Sequence, residues 1–101
     1  MKYDAKPTPL FRRQFKKLHK NEQKIVAQVI EHIRENPISG EPLKGEVLIG
    51  YRSIEIDNIP GNFRLIFRAV NVEVTIRLIA VGPHRTIYEE ATRYVRETGL
   101  K

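Results

Sequence analysis

The chain has 101 residues and a mass of 11.8 kDa, the size of one ordinary domain, so we treat residues 1–101 as a single domain. It contains no cysteine, which excludes disulfides, thiolate catalysis and cysteine-bound zinc. Eighteen basic against twelve acidic residues give a net charge of +6 and a pI near 9.8, which favours a polyanionic partner.

The excess positive charge is confined to the N-terminal quarter of the chain. Residues 1–24 contain eight basic and two acidic residues, whereas the remainder contains ten of each. A localised excess indicates an anion-binding surface more strongly than evenly spread charge does. No apolar run is long enough to cross a membrane, and no signal-peptide pattern opens the sequence. We therefore expect a cytoplasmic protein with no membrane partner.

The first half predicts a short edge strand followed by two helices. Residues 2–6 form the candidate strand. Thr8 as N-cap and Pro9 at the first helical position start a helix whose apolar side chains recur on one face and whose basic side chains project elsewhere. A second helix is predicted from an N-cap at Asn21 to a stop at Pro37. The short connection between them predicts a helical hairpin.

The second half changes from helical to alternating periodicity. A loop rich in proline and glycine is followed by predicted strands at residues 51–57, 63–70 and 72–81, with a turn at 58–62 and a last helix over 87–96. The buried face of the 51–57 strand stays undecided, because Ile54 and Ile56 share parity with Arg52.

The predicted order is β-α-α-β-β-β-α, which defines an α+β domain with the helical hairpin on one face of a twisted antiparallel sheet. The opposite face is expected to be uncovered. By alternation, Arg64, Arg68 and Arg77 lie on that face or at its rim and form a basic surface on rigid strands.

Metal-dependent chemistry is poorly supported by the sequence. The three histidines lie on different predicted elements, and no metal-binding, nucleotide-binding or serine-hydrolase motif occurs. We expect no metal and no cofactor. One reaction suits the remaining acid, base and cationic groups: cleavage of RNA by its own 2′-hydroxyl, which needs a base, an acid and a cation at the phosphate.

Five stretches in order carry a family resemblance. They are Asn36-Pro37 with Gly40-Glu41-Pro42-Leu43-Lys44-Gly45, then Gly50-Tyr51-Arg52-Ser53, then Asn62-Phe63-Arg64-Leu65-Ile66-Phe67-Arg68, then Val81-Gly82-Pro83-His84-Arg85, and finally Ile87-Tyr88. Together with the helical hairpin they resemble the RelE/ParE toxin superfamily of type II toxin-antitoxin systems. The resemblance implies a RelE-like fold, a ribosome-dependent endoribonuclease that cleaves mRNA and inhibits translation, and a cognate RelB-like antitoxin.

The resemblance also implies roles for four residues. Arg64 matches the phosphate-stabilising arginine of the family. Glu41 and His84 resemble the base and the acid of the YoeB-type branch, and Tyr88 matches a tyrosine of RelE-type members. The RelE-type branch carries two lysines where this sequence has Arg52 and then Ile54; because an arginine hardly deprotonates, the Glu41 and His84 arrangement is preferred.

A second group of residues is expected to contact RNA along the sheet surface. It comprises Arg52, Arg85, Lys44, Arg68, Arg77 and Tyr51. The cations would follow a polyanion, and the tyrosine ring would stack on a base. The alternative for all of them is a solvated surface or, for Tyr51, a structural ring.

Two other functions stay open. A ParE-type toxin shares the fold but acts on DNA gyrase, and that branch tends to lack the set of Arg64, His84 and Tyr88. A degenerate toxin would only bind an antitoxin or RNA. The basic first helix is equally consistent with a solvated face and with docking of ribosomal RNA or an acidic antitoxin segment.

Overall fold

The structure is a computed structural model that describes residues 2–99. The described elements are β1 (Asp4–Pro7), α1 (Pro9–Lys16), α2 (Lys20–Glu35), β2 (Glu41–Pro42), β3 (Arg52–Glu55), β4 (Phe63–Val70), β5 (Thr75–Pro83) and α3 (His84–Thr98). The predicted α+β class and the order of the elements are confirmed, with the very short strand β2 as an addition. Residues 1, 100 and 101 of the predicted domain lie outside the described residues.

All five strands belong to one sheet, in the order β1-β5-β4-β3-β2. The pairs from β5 to β2 are antiparallel, as predicted, whereas β1 runs parallel to β5. The α1–α2 hairpin covers one face of the sheet and carries the chain from β1 at one edge to β2 at the other. The strands β2 to β5 then return side by side across the sheet, so the last of them lies next to β1.

The sheet is packed on both faces, so the expectation of one uncovered face is wrong. The face under α1 and α2 holds the larger core, which includes Phe11, Val26, Ile33, Leu65 and Phe67. A second core lies on the other face, where α3 and the segment leading to β3 pack; it includes Leu48, Tyr51, Ile66, Ile79, Ala80, Ile87, Ala91 and Val95. Only the part of this face that the second core leaves free is available for a site.

Several element boundaries differ from the prediction, including the starts of α2, β5 and α3. Helix α2 begins at Lys20 with His19 as N-cap, and the Glu22 carboxylate accepts a hydrogen bond from the His19 N–H at 3.0 Å. Strand β5 begins at Thr75, because residues 71–74 form a turn in which Val74 has φ 54°. Helix α3 begins at His84, three residues before the predicted start at Ile87.

A register shift between Ile66 and Phe67 interrupts the alternation of β5. Ile66 pairs with Ala80 and Phe67 pairs with Leu78, so Ile79 is an extra residue on β5. Leu78 and Ala80, predicted to share a face, consequently lie on opposite faces. Between residues 2 and 99, none of the helices combines the length and the apolar character needed to cross a membrane.

Candidate functional site

The sequence left open which side chains of β3 face the helical hairpin, and the register of β3 with β4 decides this. Ser53 lies opposite Ile66 and Glu55 lies opposite Arg64, so these two side chains share the α3 face with their partners. Arg52 and Ile54 lie on the other face, under the helical hairpin. The residues that β3 contributes beside Arg64 are therefore Ser53 and Glu55.

Arg64 is mostly buried, with its side chain 19% exposed. One terminal nitrogen lies 3.7 Å from a carboxylate oxygen of Glu55, whose side chain is 52% exposed. The Nε atom of Arg64 is buried and has no hydrogen-bond acceptor within residues 2–99. A guanidinium held at one end by a distant carboxylate keeps N–H donors available for a second anion.

Tyr88 connects α3 to β3. Its hydroxyl lies 2.9 Å from the hydroxyl of Ser53, which is buried. The imidazole of His84, one helical turn earlier, contacts the Tyr88 ring edge-on with centroids 5.2 Å apart. The backbone N–H of His84 donates to the Asn62 carbonyl at 3.0 Å, which fixes the start of α3 beside the start of β4. Contacts thus link His84, Tyr88 and Ser53. Arg64 and its partner Glu55 form the next pair of side chains on the same face, after Ser53 and Ile66.

Glu41 reaches the same face from the edge of the sheet. It lies opposite Ser53 in the pairing of β2 with β3, and it is exposed. The preceding Gly40 has φ 74°, and a Cβ there would collide with the backbone carbonyl of Ser53. Only glycine lets the chain pass this close to β3, so Gly40 is what allows Glu41 to lie beside Ser53.

The six residues predicted to contact RNA are distributed differently. Arg52 is not part of the site: its guanidinium donates to the carbonyls of Ile38, Ser39 and Gly40 at 2.8–3.1 Å and holds the loop before β2. Lys44 and Arg85 are exposed.

Arg68 and Arg77 form a separate group with Tyr51, which is itself a member of the second core. The Tyr51 ring is buried, and the Arg68 guanidinium lies 5.3 Å from its centroid. Burial raises the pKa of the Tyr51 phenol, and the nearby Arg68 charge opposes this rise. Arg77 pairs with Arg68 across the strands and is 3.6 Å from Glu73. The buried ring of Tyr51 is structural in this arrangement.

Ser53 and Glu55 were missed by the sequence analysis. The turn between β3 and β4 contains Asn58 and Asn62 with positive φ, so counting residues across it does not give the register. The alternation of β3 was also misleading, because the charged Arg52 lies on the same face as Ile54. Pairing Arg64 with a residue on β3 would have found them, but no local signal provides that pairing.

This face of the sheet carries a guanidinium, an imidazole, a phenol and two carboxylates, which are the groups that acid-base chemistry on an anion uses. In the described part of the chain, no three potential metal ligands among His, Cys, Asp and Glu form a cluster.

Comparisons with known proteins agree with this fold. Residues 5–92 match the model of a family described as the ParE-like toxin of type II bacterial toxin-antitoxin systems. The structure resembles a double arginine-to-alanine mutant of the toxin RelE from Escherichia coli in the free state, with a TM-score of 0.76 and 19% identity over 94% of this chain and 99% of that chain. It also resembles a chain of the toxin-antitoxin complex RelBE2 from Mycobacterium tuberculosis, with a TM-score of 0.70 and 24% identity over 83% of this chain and 100% of that chain.

A third similar structure is a chain of the intact RelBE toxin-antitoxin complex of E. coli, with a TM-score of 0.68 and 18% identity over 80% of this chain and 95% of that chain. No curated protein sequence gives a significant match. The family match and the fold together define a toxin of the RelE/ParE superfamily, as the sequence predicted. Within it, the chain belongs to the ParE-like toxin family of type II bacterial toxin-antitoxin systems.

Proposed function

We propose that this toxin is a metal-independent endoribonuclease that cleaves mRNA on the ribosome and thereby inhibits translation. The observation that carries the proposal is the convergence of Arg64, Glu41, His84 and Tyr88 on one face of the sheet, with Tyr88 in contact with His84 and bound to Ser53. A protein of this activity acts in the cytoplasm.

The reaction needs little from the protein beyond acid-base groups and a cation. The 2′-hydroxyl of the RNA attacks the adjacent phosphate, so a base must take its proton, and an acid must protonate the departing 5′-oxygen. Arg64 is suited to stabilise the charge on the phosphate oxygens, because a guanidinium can donate two parallel hydrogen bonds to them. Glu41 is the proposed base, His84 the proposed acid, and Tyr88 places its ring against the imidazole.

The strand order supports this division of roles. In-line displacement at phosphorus places the attacking and departing oxygens on opposite sides. Glu41 lies on β2, Arg64 on β4, and His84 follows β5, so the arginine lies between the other two. With neighbouring strands about 4.8 Å apart, Glu41 is separated by about 14 Å at the backbone from Ala80, its register partner on β5, and His84 lies further along the chain beyond the end of that strand. This gap leaves room for a phosphodiester between a base on one side and an acid on the other.

The proposed partners are mRNA, the ribosome and a cognate antitoxin. The similar structures include toxin-antitoxin complexes, RelBE2 and RelBE, which support a RelB-like antitoxin for this toxin. The basic residues of the N-terminal quarter provide the charge that an acidic antitoxin segment or ribosomal RNA would bind.

The experiment is pulsed expression of the toxin in bacteria, followed by mapping of mRNA 5′ ends. Wild-type toxin should stop translation and create new 5′ ends within coding regions. In a matched cleavage assay on isolated ribosomes, it should cleave mRNA equally well with and without a chelator. Arg64→Ala and His84→Ala should abolish these ends while the melting temperature changes little. His32→Ala and Arg96→Ala, which remove an exposed imidazole and an exposed guanidinium from other helix positions, are the controls and should retain activity. Undiminished cleavage in both site variants would refute the mechanism.

A second function is favoured by one observation, the match to a family described as ParE-like. A ParE-type toxin acts on DNA gyrase and leaves mRNA intact. Gyrase-linked DNA breaks on expression, together with unchanged mRNA 5′ ends, would support this function. Harmless expression in the absence of any antitoxin would instead indicate a binding module without activity.

A further inference from the structure

We infer that Glu55 competes with the RNA phosphate for Arg64: its carboxylate lies beside the Arg64 guanidinium in the free toxin and is displaced when the phosphate binds. The inference rests on the proposed function of Arg64 as the phosphate-binding group, and it assigns the role of phosphate-mimicking carboxylate to a residue that the sequence did not single out.

The geometry of the pair fits an interaction that can be exchanged. The nitrogen-to-oxygen distance of 3.7 Å is longer than a hydrogen bond, so the two groups attract each other by charge without a direct bond. The Glu55 side chain is 52% exposed, which lets it swing into water. Because the Glu55 carboxylate is half-exposed and lies beyond hydrogen-bond distance of Arg64, its displacement into water needs little free energy.

The unsatisfied Nε–H of Arg64 also indicates that Glu55 is only a weak partner of the guanidinium. Arg64 has five N–H donors, and its Nε–H is buried with no acceptor within residues 2–99. Buried donors without partners are unfavourable, so Glu55 leaves the guanidinium incompletely satisfied. A phosphate offers several oxygens and can bind two donors at once, whereas Glu55 only approaches one terminal nitrogen.

Glu55 also lies where a bound phosphate would meet it. It is directly opposite Arg64 in the register of β3 with β4, on the face that carries Ser53 and Tyr88. In the free toxin it balances the arginine charge. In the RNA complex two anions would share one cation, which favours movement of the mobile carboxylate away from the site. The toxin would thereby bind RNA less tightly than the same site without Glu55.

The chain offers a matched control in a second ion pair of the same sheet. Glu73 and Arg77 lie 3.6 Å apart, the carboxylate is 51% exposed, and the Nε of Arg77 is likewise buried without an acceptor within residues 2–99. Glu73→Gln removes the same charge in nearly the same geometry at a different place. Any general effect of net charge on RNA binding should therefore appear equally in Glu73→Gln and Glu55→Gln.

The experiment measures the binding of a non-cleavable, 2′-O-methylated RNA oligonucleotide by fluorescence anisotropy at fixed salt. Glu55→Gln should lower the Kd about two- to fivefold, which is the range expected when a weak exposed ion pair is removed. Glu73→Gln, which reports the general effect of net charge, should lower it less, and in an Arg64→Ala background Glu55→Gln should lower it no more than Glu73→Gln does. Equal tightening by Glu55→Gln and Glu73→Gln, greater tightening by Glu55→Gln than by Glu73→Gln in the Arg64→Ala background, or weaker binding by Glu55→Gln would each overturn the inference. Melting temperatures verify that the variants are folded.

A second measurement separates this inference from the proposed nuclease. Inorganic phosphate is titrated into ¹⁵N-labelled toxin while the Nε–H resonance of Arg64 is followed by NMR. Glu55→Gln should shift the midpoint to lower phosphate concentration by about the same factor as in the RNA experiment. This result is independent of cleavage, so a toxin that cuts no RNA would refute the proposed function and leave the competition intact. An unchanged midpoint in Glu55→Gln would overturn the competition even in an active nuclease.

Discussion

The hydrogen bond between Ser53 and Tyr88 joins β3 to α3, and its two sides should respond unequally to mutation. The hydroxyl oxygens are 2.9 Å apart; Ser53 is 1% exposed, whereas Tyr88 is half-buried. Tyr88→Phe leaves the buried Ser53 hydroxyl without this partner, and an unsatisfied buried polar group costs about 1–3 kcal/mol. Ser53→Ala leaves the Tyr88 hydroxyl able to bind water, so it should cost only the net value of a hydrogen bond, about 0.5–1.5 kcal/mol.

The double variant tests this reasoning. Once both hydroxyls are removed, no polar group is left unpaired, so the combined loss in the free energy of unfolding should be smaller than the sum of the single losses. Urea unfolding of the four proteins measures the coupling, and a loss of 1 kcal/mol corresponds to about 4–8 °C in the melting temperature of a domain of this size. Tyr3→Phe is the control, because its hydroxyl bonds Asn71 at the same 2.9 Å in an exposed position. Additive losses, or a larger loss for Ser53→Ala than for Tyr88→Phe, would refute the reasoning.

Three further predictions concern the support of the site. Gly45→Ala should destabilise the toxin by about 1–2 kcal/mol through left-handed backbone strain, and Gly40→Ala should destabilise it more, because only that substitution also collides with the Ser53 backbone. Thermal melting of both variants checks this, and equal losses of stability would contradict it. Ile66→Ala should cost about 2–5 kcal/mol by leaving a cavity in the core under α3, measured by urea unfolding; a loss near zero would contradict the burial. The pKa of Tyr51 is raised by burial, so the folded state holds the phenol proton at a pH where the unfolded chain, with its pKa near 10, has begun to lose it. Stability is therefore lost as the pH rises above about 10. Melting temperatures between pH 9 and 11 should fall more steeply in wild type than in Tyr51→Phe.

Much of the fold was predictable because its signals are local. The N-cap at Thr8 followed by Pro9 is confirmed: the Thr8 side chain accepts from the Phe11 N–H at 3.1 Å. The long alternating strands were also predicted, since each carries apolar residues at every second position over many residues. Local sequence therefore defines the helical hairpin and the strands that carry Arg64 and Arg77.

The facing of β3 was not predictable for a physical reason. An arginine on the core side of a strand is normally excluded by the cost of burying its charge. Arg52 occupies such a position because three carbonyls of residues 38–40 accept from its guanidinium at the edge of the sheet. Those carbonyls are brought there by a loop whose path depends on Gly40, so the alternation of β3 can be interpreted only after the loop is placed.

The second core escaped prediction for a similar reason. Its members come from a loop, two strands and the last helix, and each contributes only a few apolar residues. The stripe of Ile87, Ala91 and Val95 on α3 indicates a buried helix face, but it does not indicate which face of the sheet that helix covers. The consequence for function is direct, because this core reduces the open surface beside Arg64 to the strip between α3 and the edge strand β2.

The register shift in β5 determines which residue lies beside Arg64. If pairing continued without the extra residue Ile79, Val81 would lie opposite Arg64 on the α3 face, and Gly82 would move to the other face. With the shift, Gly82 lies opposite Arg64, and a Cβ at Gly82 would already be 3.3 Å from the side chain of Ile87. A valine at this place would push α3 away from the sheet, and His84 and Tyr88 would move with it. The single extra residue on β5 is therefore what permits α3 to carry its imidazole and phenol close to the arginine.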